Sequence, residues 1–368
     1  MQPREFHIWD FPEDRVRILF KQHYEFINKA IIYFGNRNNL GKYLGISPAH
    51  IYNWTKYNLY ISLKDIKLIV RELKLDWLDI EREIYSYKGV STSSPITNPK
   101  LPIKESPDLF SVITHILCDG SVNRNGIPAY TNTSKTLIDN FDNKLKSVFG
   151  EFKQSTYFGG GINKNVYQYR PPKIIIDLLE SFYNINFYKR KEIPSIIFDL
   201  PREFSVAVVR AFADDEGCVD LNRRISFTQK DKEILSFLQK LLKDKLQFYQ
   251  ITEIKNKDNC HLFYIMAPEI EKYQKEIGFV HPEKKDRLRR IVYDRLNGFR
   301  TGQHNQPGKT REKLLNLLND NVLSTYDMMK EININKSNLN LQIKSLENAG
   351  LVVKTKKIGQ TIFWTRRK

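Results

Sequence analysis

Ser205 to Val219 reads SVAVVRAFADDEGCV, an apolar helical run that meets three consecutive acids, Asp214, Asp215 and Glu216, and stops at Gly217. Upstream, Ser111 to Val122 reads SVITHILCDGSV, with the same outline: an apolar run, then Asp119-Gly120, a small residue and Val. One acidic helix end arises easily by chance. Two of the same shape, each leading into an extended stretch, predict a structure built twice with a carboxylate at each centre.

The segments that follow repeat in the same order. After the first acidic helix come an extended stretch to Thr133, a helix KTLIDNFDNKLKSVF, a hairpin FKQSTYFGGGINKNVYQYR turning at Gly159-Gly160-Gly161, and a helix PKIIIDLLESFY. After the second come CVDLNRRISFTQ as strands, the helix KDKEILSFLQKLLKDKL, the strands QFYQITEIKN and CHLFYIMA, and the helix PEIEKYQKEIGF. Each copy reads αββαββα. The prediction is an α+β central domain over 108–296, with repeats of about 108–192 and 193–296 around a pseudo-two-fold axis.

Two punctuated stretches flank it. Residues 89–107, GVSTSSPITNPKLPIKESP, carry four prolines and no hydrophobic period, and 297–310 are polar and Gly-rich, so both are expected to be linkers. Within residues 1–88, NNLGKYLGISPAHIYNWTKY (Asn38 to Tyr57) reads as two helices. Leu40 and Leu44 share a face, Gly45 ends the first helix in a left-handed turn, Ser47 caps the second and Pro48 opens it. Residues 311–368 read as three helices, REKLLNLL, LSTYDMMKEI with a Ser324 or Thr325 cap, and NKSNLNLQIKSLENAG, followed by a basic hairpin turning near Gly359.

Lys plus Arg number 59 against 42 Asp plus Glu, a net charge of +17. Split at the two linkers, the excess is +4, +6 and +7 for the N-terminal, central and C-terminal parts. Positive charge in every part fits a protein that follows a long phosphate backbone. The three cysteines, Cys118, Cys218 and Cys260, are widely spaced and indicate neither a zinc site nor a disulfide framework. No apolar stretch is long enough to span a membrane and the N-terminus lacks an export signal, so a cytoplasmic protein with no membrane partner is expected.

In its doubled motif the centre resembles the LAGLIDADG, or dodecapeptide (DOD-type), homing endonuclease family in its single-chain form. The first motif is Val112-Ile113-Thr114-His115-Ile116-Leu117-Cys118-Asp119-Gly120 and the second Val209-Arg210-Ala211-Phe212-Ala213-Asp214-Asp215-Glu216-Gly217; the likeness runs to the Ile277 to Lys284 segment that closes the second repeat. Residues 38–57 resemble a repressor-type helix-turn-helix, and residues 311–368 a winged helix-turn-helix. The resemblance implies Mg²⁺-dependent hydrolysis of both strands of duplex DNA, with Asp119 and Glu216 as catalytic residues and metal ligands. Packed in parallel, the two helices bring these acids together, and a divalent cation offsets the repulsion between them. Asp214 and Asp215 are expected to be structural or solvated, and Lys173 is a guess at a pocket lysine.

The strands are implied to form a saddle on DNA, with Asn123, Arg124, Gln168, Arg170, Arg223, Arg224, Gln229, Lys255 and Lys257 as phosphate or base contacts. The flanking domains add His50, Asn53 and Lys56, and then Lys336, Asn338, Asn340, Gln342, Lys344, Lys354, Lys356 and Lys357. The expected partner is a long pseudo-symmetric DNA site bound by a monomer, with RNA left open. The alternative is a DNA-binding transcription regulator on the same scaffold with reduced or no cleavage. An intein is disfavoured, since no splicing nucleophile stands at Met1.

Overall fold

The computed structural model describes residues 1–90, 94–153, 155–159, 165–189, 192–220, 223–296, 309–332, 334, 336–358 and 361–367. The chain divides into two units, Met1–Lys285 and Asp286–Lys368. The division falls inside the helix Pro282–Leu296. The linker expected over 297–310 lies outside the described residues except for its last two, which begin the helix Lys309–Leu317.

The two repeats occupy most of the first unit. In the first, the helix Pro107–Leu117 leads to strands Gly120–Val122 and Pro128–Asn132, the helix Lys135–Phe149, strands Ser155–Phe158 and Tyr167–Arg170, and the helix Lys173–Tyr183. In the second, the helix Arg202–Glu216 leads to Gly217–Val219 and Ile225–Gln229, the helix Lys232–Lys240, Lys255–Lys257 and Cys260–Ile265, and the helix Ile270–Glu276. Each sheet has four antiparallel strands in the same order: third, fourth, second, first. The αββαββα reading therefore holds in both copies. The turn expected at Gly159-Gly160-Gly161 lies outside the described residues beyond Gly159. In the second copy the predicted strand over 247–256 shortens to Lys255–Lys257, with Ile251 making an isolated bridge to Ile265.

The acidic helices pack against each other through their apolar runs, which are buried almost throughout. Small polar residues lie at this centre: Ser111, Thr114 and Ser205 are fully buried. The Thr114 hydroxyl avoids an orphaned polar group by donating to the Phe110 carbonyl oxygen at 2.8 Å.

The stretch expected to be a linker over 89–107 is instead part of the fold. Ile96–Thr97 and Ile103–Lys104 are strands, each paired on both its residues. Its prolines and polar residues surround two strands of two residues, each with a single buried isoleucine, a signal too brief for periodicity to register. Before it, Gly45 takes the left-handed conformation and the Ser47 hydroxyl accepts from the His50 N–H at 3.3 Å, as the helix-turn-helix reading requires. Ile51 and Trp54 are fully buried.

In the second unit the helices Lys309–Leu317, Thr325–Ile332 and Lys336–Asn348 join a three-stranded sheet made by Leu323–Ser324, Thr361–Arg366 and Val352–Ile358. This is a winged helix. Ser324 and Asp327 form a capping box: the Ser324 hydroxyl accepts from the Asp327 N–H at 3.1 Å and the Asp327 carboxylate accepts from the Ser324 N–H at 3.1 Å. Leu339, Ile343 and Leu346 close the core, and the turn expected near Gly359 lies outside the described residues. Among the described residues no helix is long and apolar enough to cross a membrane.

Candidate active site

Both motif acids sit where a helix hands over to a strand. Asp119 follows Cys118, the last residue capping its helix, and Glu216 is the final helical residue of its own. The next residue must be glycine. A Cβ at Gly120 would stand 2.4 Å from the Ile116 carbonyl oxygen, and one at Gly217 would stand 2.6 Å from that of Ala213. The glycine after each acid is thus a packing requirement: the strand leaves the helix so closely that no side chain fits.

Each acid is held by an amide side chain at the end of the second strand of its repeat. Asn132 Nδ2 donates to Asp119 Oδ2 at 2.8 Å, and Gln229 Nε2 donates to Glu216 Oε1 at 2.9 Å. In both halves the amide lies thirteen positions after the acid in the sequence. Sequence reasoning missed Asn132 and gave Gln229 to DNA, although the shared spacing was present to be read. Burial, with the charges of Asp215 and Glu216, pushes the Asp119 carboxyl up to about 7, against the opposing pull of Lys284 and the Asn132 hydrogen bond.

The other acids of the triplet have separate tasks. Asp214 is buried, and its Oδ1 accepts from the Val280 and His281 N–H groups, both at 2.9 Å. Asp215 reaches across to the first repeat: its Oδ2 lies 2.8 Å from His115 Nδ1, and its Oδ1 accepts from the Tyr130 hydroxyl at 2.7 Å. The side chains of His115 and Asp215 are 1% and 0% exposed. Lys284 donates to the Ala213 carbonyl oxygen at 3.0 Å and to those of Asp214 and Asp215, which caps the second acidic helix with a cation at its negative end. Burial pulls its ammonium down. Lys173, the guessed pocket lysine, instead lies against Gly126, where its Cε would be 2.9 Å from an added Cβ.

The donor set suits a hard divalent cation. Magnesium takes one or two carboxylates and fills its remaining positions with water and substrate phosphate oxygens, and Asp119 and Glu216 offer such a pair, close enough that the charge of Glu216 helps to raise the Asp119 carboxyl despite Lys284 and Asn132. Among the described residues no cluster of three or more His, Cys, Asp or Glu forms a self-sufficient metal cage.

The sheet residues expected on DNA divide into two groups. Arg170 and Lys255 are exposed on their strands, and Arg170 donates to Gln168 at 2.9 Å. Arg223 takes a left-handed turn position. Arg224 is committed internally: it pairs with Asp220 at 2.7 Å and stacks 4.1 Å over the Tyr264 ring. The carboxylate lies four residues away, and the hairpin brings the two side chains together. On the helix Pro48–Tyr57, His50 and Lys56 are exposed and Asn53 is half-buried. Lys336 and Lys344 are exposed on the helix Lys336–Asn348, where Asn338 is half-buried, and Lys356 and Lys357 are exposed on the wing. Lys354, also expected on DNA, pairs with Glu347 at 3.1 Å.

Residues 203–278 match the family model described as LAGLIDADG-like domain, and residues 308–354 match the one described as bacterial regulatory protein, arsR family. The chain is similar to DNA-directed RNA polymerase subunit Rpo1C of Methanocaldococcus jannaschii, 25% identical over 196 residues that make up 52% of this chain and 21% of that protein. It is also similar to glutamine–fructose-6-phosphate aminotransferase (isomerizing) of the same organism, 24% identical over 255 residues, 63% of this chain and 22% of that one. The chain thus spans about a fifth of the length of these curated relatives. Similar solved structures include the homing endonuclease I-WcaI bound to its DNA recognition sequence, at 16% identity, TM-score 0.38 and coverage of 50% of this chain and 86% of that one. The N-terminal LAGLIDADG domain of WhiA is another, at 16% identity, TM-score 0.36 and coverage of 49% and 85%.

Proposed function

We propose that this chain, which carries a LAGLIDADG-like domain at its centre and an ArsR-type helix-turn-helix in its C-terminal unit, is a site-specific endonuclease that hydrolyses both strands of duplex DNA. The observation that carries this is the pseudo-symmetric pair of acids, each placed at a helix end and each held by an amide from its own repeat. A purely structural helix contact gives no reason to repeat an acid and its amide partner in both halves. The two relatives bear unrelated names, so what the chain shares with them is read as a module separable from either named activity.

In this reading Asp119 and Glu216 hold Mg²⁺ or a similar divalent ion. Such an ion lowers the pKa of bound water and stabilises the charge that develops on a phosphodiester. Asn132 and Gln229 orient the two carboxylates through one oxygen of each. Exposed Arg170 and Lys255, with the flanking helices, hold the duplex backbone, and both acids come from one chain, so a monomer suffices. The relatedness of the C-terminal unit to a regulator family favours a second reading, a DNA-binding transcription regulator that does not cut.

Incubation with a randomised duplex library in Mg²⁺, beside Asp119→Asn and Glu216→Gln, separates the two. Cutting by the parent alone supports the nuclease. Footprinted but uncut DNA for all three proteins supports the regulator, and absence of any duplex binding removes both.

A further inference from the structure

The N-terminal helix-turn-helix is joined to the first repeat by continuous sheet. The helix Pro48–Tyr57 leads into the strand Ile61–Ser62, which pairs with Val16–Phe20, then Ile84–Gly89, then Ile96–Thr97, and finally Glu151–Phe152 of the first repeat. That last strand directly follows the helix Lys135–Phe149, which packs on the first acidic helix. The approach at the join is tight. Gly150 has φ +110°, and a Cβ there would meet the Asn98 carbonyl oxygen at 2.7 Å and the Pro99 Cα at 2.8 Å.

A second seam runs in parallel. Glu5–Phe6 pairs with Ile103–Lys104, and Arg4 makes a forked contact with Glu105, from Nε at 2.9 Å and Nη2 at 2.8 Å, to a carboxylate whose side chain is fully buried. Tyr183 of the first repeat donates to the same Glu105 at 3.2 Å. Phe6 stacks on Phe182 at 4.0 Å, and Arg15 reaches Asp177 at 3.3 Å. The first seam ends on a strand of the first repeat and the second on its helix Lys173–Tyr183.

From this geometry we infer that the helix-turn-helix is a fixed extension of the first repeat, which makes the target asymmetric: duplex DNA with an added segment, at one set spacing, beyond the half-site read by that repeat. The inference rests on the DNA-binding reading above. A domain on a flexible tether tolerates changes in spacing, because the linker absorbs them at small entropic cost. A domain fused through two sheets cannot. One inserted base pair displaces the added segment by about 3.4 Å along the axis, and five turn it by roughly half of the 10–10.5 base pairs of a helical turn.

The test uses the full chain and a target selected from a library, footprinted and titrated by gel shift. One, two, five or ten base pairs are then inserted between the central site and the segment protected beside the first repeat. The expected result is a loss of at least roughly ten-fold with one or two inserted pairs, the scale of displacing a base contact. That loss should be no larger than the one caused by scrambling the added segment, and His50→Ala with Lys56→Ala should make affinity insensitive to both changes. Affinity that holds through all insertions, or a footprint confined to the central site, overturns the inference and leaves the endonuclease reading standing. A protein that binds no duplex at all overturns both, and that outcome is distinct.

Discussion

The buried triad His115, Tyr130 and Asp215 allows a sharp test, because the protein contains its own apolar counterpart. The offset that carries Asp119 to Glu216 and Gly120 to Gly217 also carries His115 to Phe212, Tyr130 to Phe227 and Cys118 to Asp215. The same crossing of the two helices is thus a His–Tyr–Asp network on one side and occupied by Phe212, Phe227 and Cys118 on the other, all buried. His115→Phe alone strands the Asp215 carboxylate. Breaking a buried pair costs about 3–5 kcal/mol, and the value here should fall near about 3 kcal/mol because Tyr130 keeps its hydrogen bond. For a domain of this size that lowers Tm by roughly 6–12 °C. The triple variant His115→Phe, Tyr130→Phe, Asp215→Cys removes every buried polar partner at once and copies the apolar side. It should recover to within about 1 kcal/mol of the parent. Circular dichroism during thermal and urea unfolding reads both effects. If His115→Phe is neutral, or the triple variant costs the sum of the single changes, the account of this network is wrong.

Three further outcomes follow from the site. The folded protein holds a proton on Asp119 up to about pH 7, whereas the unfolded chain loses it near 3.8. The folded state therefore binds more protons in that window, and stability in chelator should fall as pH rises across it. Mg²⁺ should then raise Tm more at pH 8 than at pH 5, and Asp119→Asn should flatten the profile; equal Mg²⁺ shifts at both pH values would contradict the assignment. Gly217→Ala places a Cβ 2.6 Å from the Ala213 carbonyl oxygen and should destabilise by about 1–3 kcal/mol, measured by denaturant midpoint. Gln229→Leu frees one Glu216 oxygen in one half only, so a plasmid carrying the target should accumulate nicked circles, with Asn132→Leu nicking the opposite strand.

Periodicity and the doubled acid-Gly signature made the central fold legible: both repeats have the expected order of elements, and Gly45, Ser47 and Ser324 cap as their types suggest. Residues 89–107 were not legible. A strand of two residues has no period, and its partner Glu151–Phe152 lies more than fifty positions away. The three acids of 214–216 could not be sorted from their neighbours in sequence, because what sorts them is distant. Asp214 is claimed by Val280 and His281, Asp215 by His115 and Tyr130, and Glu216 by Gln229. The Arg224 ion pair was hidden for the opposite reason: its partner Asp220 is local, but only the hairpin brings the two together.

The distribution of symmetry within the molecule bears on the proposed chemistry. The two halves match at the layer that would face a phosphodiester: an acid, a glycine and an amide in each. They diverge immediately beneath, where the triad on one side faces Phe212, Phe227 and Cys118 on the other. The strands of a duplex are related by a two-fold axis, so a protein that acts on both has reason to keep the groups that meet them paired. A buried interface is constrained only to fill space and satisfy its polar atoms, which several residue combinations do equally well. Divergence in the deeper layer, with the same kinds of side chain kept at the acids and their amides, is what selection on those paired groups would leave. If the pair at Asp119 and Glu216 were itself only structural, the amides of Asn132 and Gln229 would have been as free to diverge as His115 and Phe212.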